Sequence, residues 1–201
     1  MLDRYRWTIC GNCSGGTGKC GADTFIRIGT SGGMDLSVSG GDLVIASAAV
    51  RGEGTSKEYL PEATCCADFT VTTALAKAAA ELSEDKLGKR YHVGVVHSKD
   101  SFYGEVEPDS MPVSGDINYR WDAYLRCGCM TSEMECAAVF SVGITRHVRC
   151  GAVITAIWNV ERSKADLEDN VSDDTTRGIH CAVNAVKILI EQDKKVIKKP
   201  L

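Results

Sequence analysis

The chain has 201 residues, of which 44% are hydrophobic and 25% are charged, and this length can bury the core of one globular domain. Its formal charge of −4 comes from 27 acidic and 23 basic residues, with only a short lysine cluster at 194–199. This balance argues against a nucleic-acid partner. No apolar run approaches the roughly 20 residues of a membrane span or resembles a signal peptide, so we expect a cytoplasmic protein without a membrane partner.

The ten cysteines allow two interpretations, buried thiols or zinc ligands. Cys136 and Cys181 fall in apolar helical patterns, where a small buried thiol is the usual occupant. The Cys-x-x-Cys pair at 10–13 and the Cys-x-Cys pair at 127–129 could supply thiolates, but no histidine lies at finger spacing from either pair. We therefore predict no metal site and keep zinc as the lesser alternative.

Hydrophobic periodicity predicts strands that alternate with helices along the chain, which is typical of an α/β layered fold. The last predicted helix carries one apolar stripe, formed by Ile179, Val183, Val186 and Ile190. The predicted strands cover 24–30, 42–50, 92–97 and 151–158, and the predicted helices cover 68–82, 116–127, 133–146 and 174–193.

The first candidate site is the run from Arg27 to Gly33, in which a strand delivers an arginine to a loop of glycines and hydroxyls. Exposed backbone N–H groups, one cation and a hydroxyl suit a phosphate dianion. The alternative is an arginine paired with a carboxylate beside a turn, and spacing alone leaves the two equal. Because a buried charge needs a partner, an arginine in an apolar strand favours either a carboxylate or a ligand.

The second candidate is the entry to the predicted helix at 133–146. Ser132 and Glu135 have the spacing of a capping box, which would make Glu135 purely structural. Alternatively, Glu135 points outward to bind sugar hydroxyls while Met134 packs against the apolar face of the sugar. Spacing does not separate these interpretations.

The third candidate is the predicted loop at 100–104, where Phe102 could stack on a planar ring. Without other information, an aromatic residue packed beneath a loop is the more common arrangement. The loop follows the predicted strand at 92–97.

Three motifs in order along the chain resemble uridine phosphorylase-type members of the nucleoside phosphorylase I family. They are FIRIGTSGGM at 25–34, SKDSFYG at 98–104 and SEMECAAVF at 132–140. The resemblance extends from about residue 19 to about residue 191, which is most of the chain.

The resemblance implies a three-layer α/β fold with a mixed, partly barrel-like sheet, and phosphorolysis of a nucleoside to a free base and ribose 1-phosphate. It further implies a homo-oligomer, hexameric in the family, that needs no cofactor and takes inorganic phosphate as co-substrate. Arg27 and Glu135 are the implied catalytic residues. The implied phosphate ligands are Arg27, Gly29 and Thr30; the ribose ligands are Thr30, Met134 and Glu135; the base pocket comprises Gly32, Phe102, Glu105, Ile157 and Trp158.

Two departures from the family pattern concern the base. Purine-specific members commonly place an aspartate after the strand matched by 152–158, where this chain has Asn159 after Trp158. A pyrimidine base therefore fits better. Pyrimidine-specific members read uracil with a glutamine, often with an arginine, where this chain offers Glu105 and Glu107. A carboxylate accepts the N3–H of uracil but donates to neither carbonyl, so the usual two-way amide contact is lost.

A further departure concerns the start of the chain. Residues 1–18 match nothing in the family, so we expect a non-matching segment at 1–18 and a phosphorylase domain at 19–201 that lacks its N-terminal part. A one-base shift of one coding sequence for 13–18 reads Ala-Val-Glu-Glu-Leu, as in the family's helix, which suggests a frameshift or a misassigned start. Because the missing part supplies phosphate ligands in the family, we expect activity to be low or absent.

Two rival functions stay open at this point. A nucleosidase of the same fold would use water instead of phosphate, and Arg27 argues against it because such an enzyme binds no phosphate dianion. A catalytically inactive remnant that binds nucleoside is the other alternative.

Overall fold

The computed structural model describes residues 21–62, 65–84 and 90–197. The strands are β1 (Thr24–Gly33), β2 (Leu43–Gly52), β3 (Cys65–Cys66), β4 (Tyr91–Lys99), β5 (Thr131–Glu133) and β6 (Arg149–Asn159). The helices are α1 (Thr55–Tyr59), α2 (Phe69–Glu84), α3 (Phe102–Val106), α4 (Ser114–Arg126), α5 (Cys136–Arg146), α6 (Val160–Lys164) and α7 (Thr176–Ile197), with a 3₁₀ turn at Pro108–Ser110.

The strands form one mixed sheet that closes on itself. Its order is β3-β2-β4-β5-β1-β6, and β6 also pairs with β2, so a ring of strands forms with β3 outside it. The pairs β1–β6, β2–β4 and β4–β5 are parallel, whereas β1–β5 and β2–β6 are antiparallel. The expected α/β fold with a mixed, partly barrel-like sheet is confirmed.

The sheet carries apolar side chains on both faces, which follows from the alternation of residues along a strand. Leu43 and Ile45 belong to a cluster with α2 and α7, whereas Val44 and Ala46 belong to a cluster with α5. Helices therefore cover the sheet from two sides, which gives the three layers. The buried-thiol interpretation is confirmed for two cysteines, since Cys136 and Cys181 are both fully buried.

The structure corrects three local predictions. The predicted loop at 31–33 is part of β1, which continues through an irregularity in register between Ser31 and Gly32. The helix predicted from residue 133 begins only at Cys136, because Glu133 belongs to β5. The predicted loop at 100–104 contains the start of α3, where Ser101 Oγ accepts a hydrogen bond from the Gly104 N–H.

The apolar stripe of α7 lies on the outer face of the helix. Ile179, Val183, Val186 and Ile190 are each between 43% and 48% exposed, whereas Cys181, Ala182, Ala185 and Leu189 face the sheet. Within the described part of the chain, no helix is long and apolar enough to cross a membrane. The predicted boundary at 18/19, the cysteine pair at 10–13 and the end of the lysine cluster lie outside the described residues.

Phe140 on α5 is a large side chain with no exposed surface, packed in the cluster between α5 and the sheet. We expect Phe140→Ala to lower the free energy of unfolding by about 3–5 kcal/mol, because it removes buried contacts and leaves a cavity. Urea denaturation followed by circular dichroism measures this. Phe69→Ala is the matched control, since Phe69 is 81% exposed and its loss should cost less than about 0.5 kcal/mol. Equal losses in the two variants would contradict the described packing.

Candidate active site

A cavity of about 830 Å³ opens where β1, β5 and β6 end, beneath α3, α4 and α6. Its size is typical of a site for a small organic ligand. All the predicted site residues line it: Arg27, Gly29, Thr30, Gly32, Phe102, Glu105, Met134, Glu135, Ile157 and Trp158. Residues from the three sequence motifs thus share one cavity, although more than a hundred positions separate the first from the last.

Arg27 lies on β1 with its side chain 12% exposed. Its Nη2 donates a hydrogen bond to Glu135 Oε2 and lies 3.2 Å from Glu133 Oε2. Burial alone would lower the pKa of Arg27, but the two carboxylates outweigh burial and raise it, so the guanidinium stays charged. The two interpretations of Arg27, a carboxylate partner or a bound ligand, are therefore compatible, because the arginine has carboxylate partners and also lines the cavity.

Gly29, two residues after Arg27 on β1, leaves room for the guanidinium. A Cβ atom at position 29 would lie 2.1 Å from Arg27 Nη1, so any larger residue would displace the arginine head. Arg27 Nη1 itself is buried and makes no hydrogen bond within the described residues. A buried N–H without a partner is costly, which marks this atom as an unused donor for an anion in the cavity.

Glu133 caps α5, in place of the predicted capping box. Its carboxylate accepts hydrogen bonds from the backbone N–H groups of Glu135 at 2.7 Å and Cys136 at 3.0 Å, and from Ser98 Oγ. Ser132 lies in β5 and is engaged elsewhere, so Ser132 does not cap the helix. The side chain of Glu135 is consequently not needed for capping and reaches Arg27.

A second group of charges lies on the same cavity wall. Lys99 Nζ lies 2.8 Å from Glu105 Oε1 and donates to Ser132 Oγ at 2.8 Å. Glu105 Oε2 accepts from Ser132 Oγ at 2.9 Å and lies 3.1 Å from His97 Nδ1. Burial would raise the pKa of Glu105, but the hydrogen bond from His97 and the charge of Lys99 lower it below its ordinary value of 4.5. Glu105 is therefore ionised at neutral pH.

Aromatic side chains flank this second group. The ammonium of Lys99 lies 5.9 Å from the ring centre of Phe102, which is 40% exposed at the start of α3. Trp121 of α4 also lines the cavity, and its indole Nε1–H donates to Glu161 Oε1 at 2.8 Å. Flat apolar surfaces next to a charged pair can bind a planar polar ring.

Asn159, which follows the last strand, has a structural role. Its amide donates to the carbonyl oxygens of Asp35 and Val38, and its Oδ1 accepts from the N–H groups of Glu161 and Arg162. The side chain is fully buried, and both its NH₂ group and its oxygen are engaged in hydrogen bonds. Asn159 does not line the cavity. It holds the end of β6 and the start of α6 in place.

Sequence reasoning missed Glu133, Lys99 and Trp121 as members of the cavity wall. One signal was available for Lys99, a charge directly after an apolar strand, since a buried charge needs a partner. Glu133 stands immediately before an apolar run, which is the place of a helix cap, but its partner Arg27 lies more than a hundred positions away. Nothing in the sequence marked Trp121.

The described residues contain no group of three or more histidine, cysteine, aspartate or glutamate side chains that could hold a metal ion. Cys127 is exposed, Cys129 is buried, and both are free thiols. Burial raises the pKa of Cys129 to about 11, which disfavours the thiolate that zinc requires. The zinc alternative gains no support from the Cys-x-Cys pair at 127–129.

A closed mixed sheet between helices, with a charged cavity where its strands end, defines an α/β protein with a cavity of the size that suits a small polar ligand. Comparison with known proteins gives the family. The Phosphorylase superfamily matches residues 13–191, and the chain belongs to that family.

Three curated relatives illustrate the range of similarity. A uridine phosphorylase of Treponema pallidum is 48% identical over 174 residues, which cover 86% of this chain and 66% of the relative. A uridine phosphorylase of Thermococcus kodakarensis is 37% identical over 87% of this chain and 61% of the relative. A guanosine phosphorylase of Halorubrum lacusprofundi is 34% identical, covering 85% and 68%. The chain spans about two thirds of the length of these relatives.

The low pKa of Glu105 predicts a pH-dependent contribution to stability. Since the folded-state pKa is lowered, ionised Glu105 stabilises the fold above its unfolded pKa, and this is lost as pH falls through the folded pKa. We expect Glu105→Gln to lower the free energy of unfolding by about 1–3 kcal/mol at neutral pH. The difference in free energy of unfolding between Glu105→Gln and the unaltered chain should shrink as the pH falls below 4.5, the ordinary pKa of a glutamate.

Urea denaturation at a series of pH values measures this difference. The control is Glu191→Gln, because Glu191 pairs with Lys194 on the exposed surface of α7, where water screens the charges. A difference for Glu105→Gln that stays constant down to acidic pH would contradict the assignment of an ionised, stabilising carboxylate.

Proposed function

We propose that the chain is a pentosyltransferase of the uridine phosphorylase type, which converts a uridine-like nucleoside and inorganic phosphate into free base and ribose 1-phosphate. The observation that carries the proposal is the contact between Arg27 and Glu135 inside one cavity. It puts an anion-binding cation directly beside a carboxylate that can hold sugar hydroxyls. No cofactor belongs to the proposal.

Phosphate is proposed to bind at Arg27, with help from Gly29 and Thr30. Arg27 Nη1 is the unused donor, and the exposed Thr30 adds a hydroxyl to the same wall. Glu133 neutralises only part of the charge of Arg27, because backbone N–H groups at the start of α5 and Ser98 share the same carboxylate. A guanidinium with a free N–H edge is well suited to a phosphate oxygen.

The ribose is proposed to lie against Met134 and Glu135, with Thr30 in contact as well. Both Met134 and Glu135 are partly exposed to the cavity, directly before α5. A carboxylate accepts hydrogen bonds from two neighbouring hydroxyls, and a thioether covers the apolar side of the ring. The closeness of Glu135 to Arg27 supports the placing of sugar and phosphate side by side.

The base is proposed to lie among Gly32, Phe102, Glu105, Ile157 and Trp158. A Cβ atom at position 32 would meet nothing within 4 Å, so the backbone there is open to the cavity. Relatives of this chain are named for uridine and for guanosine. The bases of these nucleosides, uracil and guanine, both carry a ring N–H beside a carbonyl. We propose a base with that edge, a pyrimidine in the first place.

The chemistry suits these residue types. Attack of a phosphate oxygen on C1′ breaks the bond to the base nitrogen, whose electron pair leaves with the base, and the sugar gains oxocarbenium-like positive charge. The phosphate anion stabilises this charge and is also the nucleophile, so alignment of the two reactants supplies much of the rate. A nucleosidase would need no cation to bind phosphate, and the buried donor of Arg27 therefore favours phosphorolysis over hydrolysis.

Homo-oligomerisation in the cytoplasm is part of the same proposal. The half-exposed apolar stripe of α7 supports association with a second copy, because such a stripe on a water-facing helix is costly. We also propose that 19–201 act as one phosphorylase domain with 1–18 outside it, although the family match begins slightly earlier, at residue 13. The proposal names nucleoside and phosphate as ligands and includes neither nucleic acid nor membrane.

Phosphate-dependent cleavage of uridine tests the proposal directly. We expect the chain to release uracil and ribose 1-phosphate, measured by chromatography, at a rate that rises with phosphate concentration. Arg27→Met should lower kcat/KM for phosphate by about 10²–10³-fold, the usual effect of removing one preorganised donor.

Arg149→Met is the matched control. Arg149 also lies on a strand and donates to a carboxylate, Asp193, at 3.0 and 2.8 Å, but it does not line the cavity. This variant should keep kcat/KM within a few-fold of the unaltered chain. Release of free ribose at a rate independent of phosphate would point to a nucleosidase, and no cleavage at all would favour a nucleoside-binding protein without activity.

A further inference from the structure

The buried pair of Lys99 and Glu105 lies in the wall of the same cavity, and neither residue holds phosphate or sugar in the proposal above. Their side chains are 9% and 12% exposed, and both residues line the cavity wall. Lys99 Nζ lies 5.9 Å from the ring centre of Phe102, the aromatic residue proposed to pack against the base. The pair therefore borders the place where a base would stack.

Each member of the pair has one hydrogen-bonding position left. A lysine ammonium has three N–H donors, and Lys99 directs one to Glu105 Oε1 and one to Ser132 Oγ. On Glu105, Oε2 is engaged by Ser132 Oγ and His97 Nδ1, whereas Oε1 is engaged only by Lys99. A donor on Nζ and an acceptor on Oε1 thus remain, with 2.8 Å between these two atoms.

We propose that Lys99 and Glu105 together read the base, with Glu105 Oε1 accepting a ring N–H and Lys99 Nζ donating to the adjacent carbonyl. This inference rests on the proposed function and names residues for its specificity. A carboxylate alone can accept but not donate, and Lys99 supplies the donor that Glu105 lacks. The pair replaces one side-chain amide by two charged groups, held in place by Ser132 and His97.

The charge of Lys99 also bears on the reaction. When the bond to the sugar breaks, the base takes the electron pair, and negative charge spreads to its carbonyl oxygens. An ammonium already directed at such an oxygen interacts more strongly with the leaving base than with the bound nucleoside, so it lowers the barrier. Loss of Lys99 should therefore lower kcat as well as base affinity.

Calorimetric titration with free bases tests the inference without requiring turnover. The probes are uracil, 3-methyluracil, in which a methyl group replaces the N3–H between the two carbonyls, and cytosine, which lacks the N3–H and carries an amine in place of the carbonyl at position 4. We expect the unaltered chain to bind uracil at least about tenfold more tightly than either of the other bases. This ligand series uses the intact protein and does not depend on the folding of any variant.

Variants then assign the preference to the pair. Lys99→Met should weaken uracil binding by about 10- to 100-fold, as expected for the loss of a charged hydrogen bond, and Lys99→Arg should restore much of it. Lys164→Met is the matched control, since Lys164 lies 2.8 Å from Glu161 and 6.0 Å from the ring centre of Trp121 on the same cavity but is 61% exposed. It should leave the ratio of the uracil and 3-methyluracil affinities unchanged. Thermal unfolding of each variant verifies that it is folded.

Three results would overturn the inference: equal binding of uracil and 3-methyluracil, cytosine binding as tight as uracil binding, or unchanged uracil affinity in Lys99→Met. Absence of base binding by the unaltered chain would overturn it as well. Uridine phosphorolysis measured on the same preparation separates the two proposals. Turnover without discrimination between the bases would support the proposed function and overturn the inference. Discrimination between the bases without phosphate-dependent turnover would support base reading by the pair and overturn the proposed function.

Discussion

The charge of Arg27 lies in the protein interior, and much of the site follows from the need to neutralise it. An isolated guanidinium away from water would cost several kcal/mol, so its partners have to come from neighbouring elements. Glu133 on β5 and Glu135 at the start of α5 provide them, because β5 pairs with β1 in the sheet. The same contact that stabilises the buried charge assembles a cation and a carboxylate in one cavity.

Glu133 and Glu135 divide two tasks that one residue could not perform. Glu133 accepts from the first N–H groups of α5 and so neutralises both the helix end and part of the arginine charge. Glu135 is thereby released to face the cavity. Because the two residues stand so close together, the cap also helps to position the carboxylate that lines the cavity, and a change at Glu133 would disturb both.

The cavity wall contains two ion pairs of similar design, Arg27 with Glu135 and Lys99 with Glu105. In each pair the cation is largely buried and lines the cavity. The carboxylate of Glu105 is also bound by Ser132 and His97, whereas Glu135 accepts from Arg27. Lys99 and Glu105 are both held by Ser132, and Glu105 also by His97, and a pair held in this way costs less to order when a ligand binds.

The sequence by itself determined the layered α/β class and the approximate bounds of the long strands and helices, because these depend on local hydrophobic periodicity. Through the resemblance to one family it also supplied ten of the residues that line the cavity, but not Lys99, Glu133 or Trp121. It misjudged the start of α5 and the extent of β1, where pairing with distant strands overrides local preference.

Only the tertiary structure decided what the charged residues do. Whether Glu135 caps a helix or meets Arg27 depended on Glu133 taking the cap, and no spacing rule distinguishes two glutamates that stand so close together. The partnership of Lys99 with Glu105, and the outward direction of the α7 stripe, likewise arise from contacts between elements far apart in the chain. Periodicity shows which residues share a face, but the packing of the closed sheet determines what that face meets.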